Sequence, residues 1–152
     1  MLTSRVPPLD EHRFPRAGEE EQRLRFLLRY AELAPSTHNT RPWIFKIRAS
    51  AVELRPDLDR WLRVSDADRR ELHETVGCAL ENLVIAADHF GYQADVRYLK
   101  TGVRVKFRPG GGHGLDPDLF RAIPLRRTCR APFDRRPVPE EHLEVLRESS
   151  MF

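Results

Sequence analysis

The stretch "ETVGCALENLVIAADHFGY", residues 74–92, constrains the fold more than any other part of the chain. Val76, Leu80, Leu83, Val84, Ala87 and Phe90 recur at intervals of three and four, which predicts a long amphipathic helix with a broad apolar stripe. Gly91 stands where a left-handed C-terminal cap belongs, and the Asp-rich turn upstream offers Ser65 as a cap at the other end. A stripe that wide must be buried against something.

The flanking segments supply the partner surface. Trp43, Phe45 and Ile47 alternate with Ile44, Lys46 and Arg48, and Val52 and Leu54 alternate with Glu53 and Arg55, so a hairpin turns near Ala49 and Ser50. After the helix the alternation returns over Ala94–Leu99 and Val103–Arg108. An earlier helix is predicted in "GEEEQRLRFLLRYAELA", with acids in its first turn, Leu24, Leu27, Leu28 and Ala31 on one face, and Pro35 beyond its end. The order helix, hairpin, helix, hairpin implies an α+β fold with a mostly antiparallel or mixed sheet and helices packed around it. A short helix over Asp116–Ala122 and a last amphipathic one from Glu140 to about Glu148 follow.

At 152 residues and 40% hydrophobic content the chain can bury one real core. Its net charge of +3 comes from 26 basic and 23 acidic residues, with only three lysines. Arginine is spread evenly along the chain, and no basic stretch is interleaved with aromatics, so no nucleic-acid partner is expected. The N-terminus lacks an apolar leader-like segment and no apolar run approaches the ~18 residues of a membrane helix, so the expectation is a cytoplasmic protein with no membrane partner. Cys78 and Cys129 are isolated, which points to neither a disulfide framework nor a metal site. The glycine run "RPGGGHG" lacks the following lysine and hydroxyl residue of a phosphate loop and is read as a linker. The histidines receive no catalytic role.

Two stretches are more polar than their position requires. The connector "APSTHNTRPW" joins helix to strand, yet carries Ser36, Thr37 and Asn39. Near the C-terminus, Arg126, Arg127, Thr128 and Arg130 fall within five residues. Guanidinium forks and a hydroxyl at that density suit a phosphate, although a solvated basic turn has the same composition. Ser36 and Asn39 are likewise common helix caps.

Together these stretches carry a resemblance. "RRTCRAPFDRRPVPEEHLEVL" resembles the arginine signature of the nitroreductase family of FMN-dependent oxidoreductases, "APSTHNTRPWIFKI" its A-P-S-x-x-N-x-[QR]-P-W segment, and "VGCALENLVIAADHFGY" its central helix. The arginine signature comes last here rather than first, which is similar to the Acg-like branch, where two nitroreductase-like halves are fused into a pseudo-dimer. On that pattern residues 1–16 form an N-terminal arm, 17–114 a first half, and 115–152 the start of a second, with the chain truncated after the first half. The first half has "EHRFPRAGEEEQ" in place of its own arginine signature.

The resemblance implies an FMN-dependent NAD(P)H oxidoreductase, passing hydride by a ping-pong cycle to nitro compounds, quinones or similar small-molecule acceptors. It also implies that Arg126, Arg127, Thr128 and Arg130 grip the FMN phosphate end while Ser36, Thr37 and Asn39 face the cofactor across an interface between halves. The second half would come from a homodimer partner or from a missing C-terminal half. The alternative is a non-catalytic flavin-binding or degenerate homologue without a complete site. No side chain of this stretch is implied as an acid–base catalyst.

Overall fold

The computed structural model describes residues 9–112 and 114–149. The first eight residues of the N-terminal arm, His113 of the glycine run and the end at Phe152 lie outside the described residues. Helix α1 spans Glu20–Ala31 and leads through a 3-10 turn, Thr37–Asn39, to strands β1 (Trp43–Arg48) and β2 (Ala51–Pro56). Helix α2 runs Arg70–His89 and is followed by β3 (Tyr92–Leu99), β4 (Gly102–Pro109), α3 (Pro117–Leu125) and α4 (Glu140–Ser149). The strands form one sheet in the order β1-β2-β4-β3, and each neighbouring pair is antiparallel. The α+β class is as the alternation of patterns predicts.

Strand register follows from the period of two. Phe45 pairs with Leu54, Ile47 with Val52, Val52 with Val105, and Ala94 with Phe107, so most apolar residues of the four strands share one face, Ile44 and Leu99 being on the other. That face is covered by α1 and α2, whose Leu24, Leu27, Ala31, Ala79, Leu83, Ala86 and Ala87 are fully buried in the same core. The small residues of α2 let it lie close to the sheet. Gly102 opens β4 with φ +152, and a Cβ there would collide with the Leu54 carbonyl and the Arg55 side chain, so no larger residue fits.

An aromatic cluster fastens the outlying pieces to this layer. Phe14, from the arm, stacks on Phe90 at 4.2 Å, and Phe120 of α3 lies 4.8 Å from Tyr30 and stacks on His89 at 3.6 Å. Burial pushes the Tyr30 phenol up to about 12, with the nearby Glu11 carboxylate adding to the shift. Tyr30 is therefore a neutral core residue. The side-chain amide of Asn82 donates to the Tyr30 carbonyl at 3.3 Å and ties α2 to α1. The described part of the arm thus packs on the helices.

One predicted cap is replaced. Ser65 is exposed and does not cap α2; Asp66 does, accepting from the backbone N–H groups of Glu71 at 2.9 Å and Leu72 at 3.0 Å. The backbone turns left-handed at Arg69, φ 63, and this swings the first helical amides back onto a carboxylate. A carboxylate can take both orphan amides at once, whereas a hydroxyl one residue earlier reaches neither. Gly91, with φ +82, closes the other end as expected. Gly110 and Gly111 donate to the Gly91 carbonyl, so the glycine run begins as a tethered loop.

Candidate functional site

The connector after α1 is built from its own hydrogen bonds. Pro35 stops the helix, and the chain then passes through three residues with positive φ, His38 (52), Asn39 (56) and Arg41 (49). Such a run of side-chain-bearing residues in the left-handed region is held only by surrounding structure. Ser36 Oγ accepts from the Arg41 N–H at 2.9 Å across the loop, and Thr37 donates its hydroxyl to Glu71 Oε2 at 2.7 Å. Thr40 closes the turn onto the Thr37 carbonyl at 3.1 Å. The polar residues of the connector are first of all its scaffold.

Their remaining capacity is nevertheless specific. Ser36 accepts one bond and keeps its hydroxyl proton for another acceptor, Thr37 keeps its lone pairs, and Asn39 makes no side-chain hydrogen bond among the described residues. Ser36 is not bonded as a helix cap, since its hydroxyl reaches Arg41 instead of the following turn. The cavity beneath the connector, lined by Thr37, Thr40, Pro42, Trp61 and Asp66, holds only about 10 Å³. That is room for a single water and for no larger ligand.

The arginine cluster arrives at the same end of α1. Phe120 and Ile123 dock α3 against the core, and the helix ends at Leu125 just past its internal Pro124. Arg126 then sends one guanidinium nitrogen to within 3.5 Å of the Leu33 carbonyl, three residues before Ser36, and the other to Thr128 Oγ1 at 3.3 Å. The first of these is a long contact; what it establishes is nearness. Arg127 folds back on the carbonyls of Pro124 at 3.1 Å and Arg126 at 2.9 Å. Arg130 is exposed. None of the three arginines makes an ion pair with a carboxylate among the described residues, in contrast to Arg136, which pairs with Asp134. That partner holds the Asp134 carboxyl below its ordinary range.

Thus Arg126 and Thr128 are brought together beside Leu33 at the end of α1, while Arg127 and Arg130 belong to the same exposed turn, and none of the four is bonded to Ser36, Thr37 or Asn39. Residues 126–148 are exposed throughout except Leu143, which is half-buried. Phe133 is 93% exposed and Val138, Val145 and Leu146 more than half exposed, which is unusual for apolar side chains at this density. Sequence reasoning missed Glu71 and Asp66, which position the connector and the start of α2. The only signal was the acid-rich "SDADRREL" itself, where any of several residues could cap.

A second concavity of about 690 Å³ opens between the N-terminal half of α2 and the end of the sheet, over Leu72, Val76, Leu80 and Val103, with Arg69 and His73 at its rim. Its volume lies in the range of small-molecule sites. No helix among the described residues is long and apolar enough to cross a membrane, and no group of three or more His, Cys, Asp or Glu among them could hold a metal ion. Cys78 and Cys129 are unpaired thiols.

Comparison with known proteins follows the same lines. No protein-family model matches the chain. The Mycobacterium tuberculosis proteins named "Putative NAD(P)H nitroreductase Rv3131" (strain H37Rv) and "Putative NAD(P)H nitroreductase MT3217" (strain CDC 1551) are each 38% identical to it over 135 residues, 84% of this chain and 39% of theirs. "Putative NAD(P)H nitroreductase acg" of the same organism is 33% identical over 114 residues, 68% of this chain and 34% of its own length. The chain therefore spans about two fifths of the length of the curated relatives it matches. With three motifs in place on an α+β scaffold, and with 33–38% identity to these proteins over most of its length, the chain belongs to the nitroreductase family.

Proposed function

We propose that this chain forms one side of an FMN site in an NAD(P)H-dependent oxidoreductase of nitroreductase type. The observation that supports the reading is the approach of Arg126 to Leu33, three residues before Ser36, although 93 residues separate Arg126 from Leu33 in sequence. Cations without carboxylate partners and a connector with unspent hydroxyl and amide capacity are the donor set that a phosphate and a polyhydroxyl chain require. The residues present fit that group at its phosphate and ribityl end.

In this reading Arg126, Arg127, Arg130 and Thr128 hold the phosphate, and Ser36, Thr37 and Asn39 orient the adjoining chain of the cofactor. When bound, FMN supplies the redox chemistry, taking hydride from NAD(P)H and delivering electrons in a ping-pong cycle to nitro compounds, quinones or similar acceptors. The protein binds and orients, and the Thr37–Glu71 bond ties the connector to α2. The other side of the site comes from a second nitroreductase-like half, in the same polypeptide or in a second copy. The exposed apolar residues of 126–148 support such a neighbour.

Titration with FMN tests the site. Binding that develops flavin absorbance and is lost in Arg126→Ala/Arg130→Ala supports it; equal binding by that variant removes the assignment. A second reading, a flavin-binding homologue without turnover, is favoured by the absence of an arginine signature from "EHRFPRAGEEEQ". Oxidation of NADPH with a nitroaromatic acceptor by the FMN-loaded protein separates the two.

A further inference from the structure

The sheet has a second face, and the even spread of cations along the sequence conceals what the fold does with them. Register places Lys46, Glu53, Arg104 and Arg97 in one row across the four strands, and Arg48, Ala51, Lys106 and Asp95 in the next. Arg55 stands beside Ile44 in the row before, and Arg108 opposite Gln93 in the row after. By the alternation of the strands these residues lie on the face opposite the one that α1 and α2 cover, although Arg55 also lines the concavity beside α2 and Lys46 one beside the acidic start of α1, and all seven cations are exposed except Arg55, which is half-buried. On this one face cations outnumber carboxylates by seven to two, an excess larger than the +3 carried by the whole chain. The rest of the molecule is therefore net negative.

The two carboxylates are already engaged. Glu53 pairs with Arg104 at 2.7 Å, and Asp95 lies 3.3 Å from Arg108 and 3.7 Å from Arg97. The bond from Arg104 holds the Glu53 carboxyl below its ordinary range. Lys46, Arg48, Arg55 and Lys106 form no ion pair among the described residues. A bare sheet face would need only a few charges to prevent edge or face association, so this excess suits an anionic partner.

The shape of the patch identifies the partner class. The cations cover a two-dimensional array, strands ~4.8 Å apart and like-facing residues ~6.7 Å apart along each, not a stripe that a polymer could follow. Among the described residues of the four strands, no aromatic one stands on this face to stack a base. At one end the array meets exposed apolar side chains. Ile44 and Leu99 flank Arg55 and Gly102 on the same face, and Leu58, Tyr98 and Lys100 adjoin them around the end of the sheet. A broad cationic surface edged by apolar residues is the composition of peripheral membrane docking, in which charges meet anionic headgroups and a few apolar side chains enter the interface.

We propose that the outer face of the sheet docks the protein reversibly on an anionic lipid surface, with Lys46, Arg48, Arg55 and Lys106 facing the headgroups and Ile44 and Leu99 at the interface. Such a contact lies on the surface of a bilayer and needs no spanning segment, so it is compatible with the lack of a membrane-crossing helix among the described residues. It is independent of the flavin site.

Sedimentation with vesicles decides it. The protein is expected to co-sediment at low salt with vesicles of phosphatidylcholine and phosphatidylglycerol, to be released as salt rises, and to stay in solution with phosphatidylcholine alone. Lys46→Gln/Lys106→Gln, both exposed substitutions, should weaken binding by about 25-fold, roughly fivefold for each cation. Ile44→Ser/Leu99→Ser should lower the fraction retained at intermediate salt. Equal binding to neutral vesicles, no binding to anionic ones at low salt, or unchanged binding by the lysine variant with a native circular dichroism spectrum overturns the proposal. So does duplex DNA or RNA held at a salt concentration that frees the vesicles, which would make the face a nucleic-acid surface.

Discussion

Thr37 of the connector donates its hydroxyl to Glu71 of α2 at 2.7 Å, and this single bond joins the segment proposed to face the cofactor to the longest helix of the fold. Both residues are half-buried, so the bond is neither fully dry nor freely competed by water. A hydrogen bond to an ionised acceptor is worth roughly 1.5–3 kcal/mol, and partial exposure brings the expected loss in Thr37→Ala to about 1–2 kcal/mol. Thr37→Ser keeps the hydroxyl and should cost well under half as much. Urea unfolding of the two variants checks the order, and equal losses would mean that the methyl group, not the bond, is what matters.

Asp66 makes a prediction in pH. Burial by itself raises its carboxyl, but the backbone hydrogen bonds from Glu71 and Leu72 outweigh this, and the net shift is downward. A carboxyl depressed in the folded state contributes stability that is present above its ordinary value near ~3.9 and is lost as pH falls through the folded value. Asp66→Asn should therefore destabilise the protein at neutral pH, and the gap from wild type should close in acid. Melting curves at pH 7 and at successively lower pH test this. A gap that is constant with pH would show that only the acceptor count, not the charge, caps α2.

How much of this was legible in the sequence depends on the range of the interaction involved. The hairpin turn at Ala49 and Ser50, the Gly91 cap and the inward alternation of Val103, Val105 and Phe107 are set by neighbours within a few residues, and period alone reveals them. Phe14 was lost in a proline- and charge-rich arm because its partner Phe90 lies 76 positions away. Asp66 was passed over for Ser65 because the left-handed turn at Arg69 cannot be read from an arginine. The cationic sheet face was invisible for a similar reason, since its members come from four strands and only register brings them into rows. For the candidate site, the motifs named the residues, but not that Ser36 and Thr37 spend part of their hydrogen-bonding capacity inside the connector.

Leu83 tests the core. It is fully buried in α2, next in sequence to the half-buried Val84. Leu83→Ala should destabilise the fold by about 2–5 kcal/mol through lost burial and the cavity it leaves. Val84→Ala, which removes fewer atoms from a partly solvated site, should cost less than half of that. Chemical denaturation compares them, and a loss below about 1 kcal/mol for Leu83→Ala would place the stripe of α2 on the wrong side of the helix.

The cofactor site makes its sharpest prediction as a ranking. Arg126 and Arg130 would each contribute a charge-assisted bond to a phosphate, worth roughly 1.5–3 kcal/mol, so Arg126→Ala/Arg130→Ala should weaken FMN binding on the order of 10²-fold or more. Asn39 offers a neutral amide, worth ~1 kcal/mol, and Asn39→Ala should weaken binding only several-fold to about tenfold. Asn39 also holds a left-handed backbone, φ 56, that alanine tolerates less well, so Asn39→Gly is the better comparison for separating the lost amide from a shifted loop. Fluorescence quenching of FMN on titration with each variant reads the affinities directly. If Asn39→Gly weakens binding as much as the double arginine variant does, the phosphate is not held by the arginine turn, and the nearness of Arg126 to Leu33 is only the packing of α3 against the end of α1.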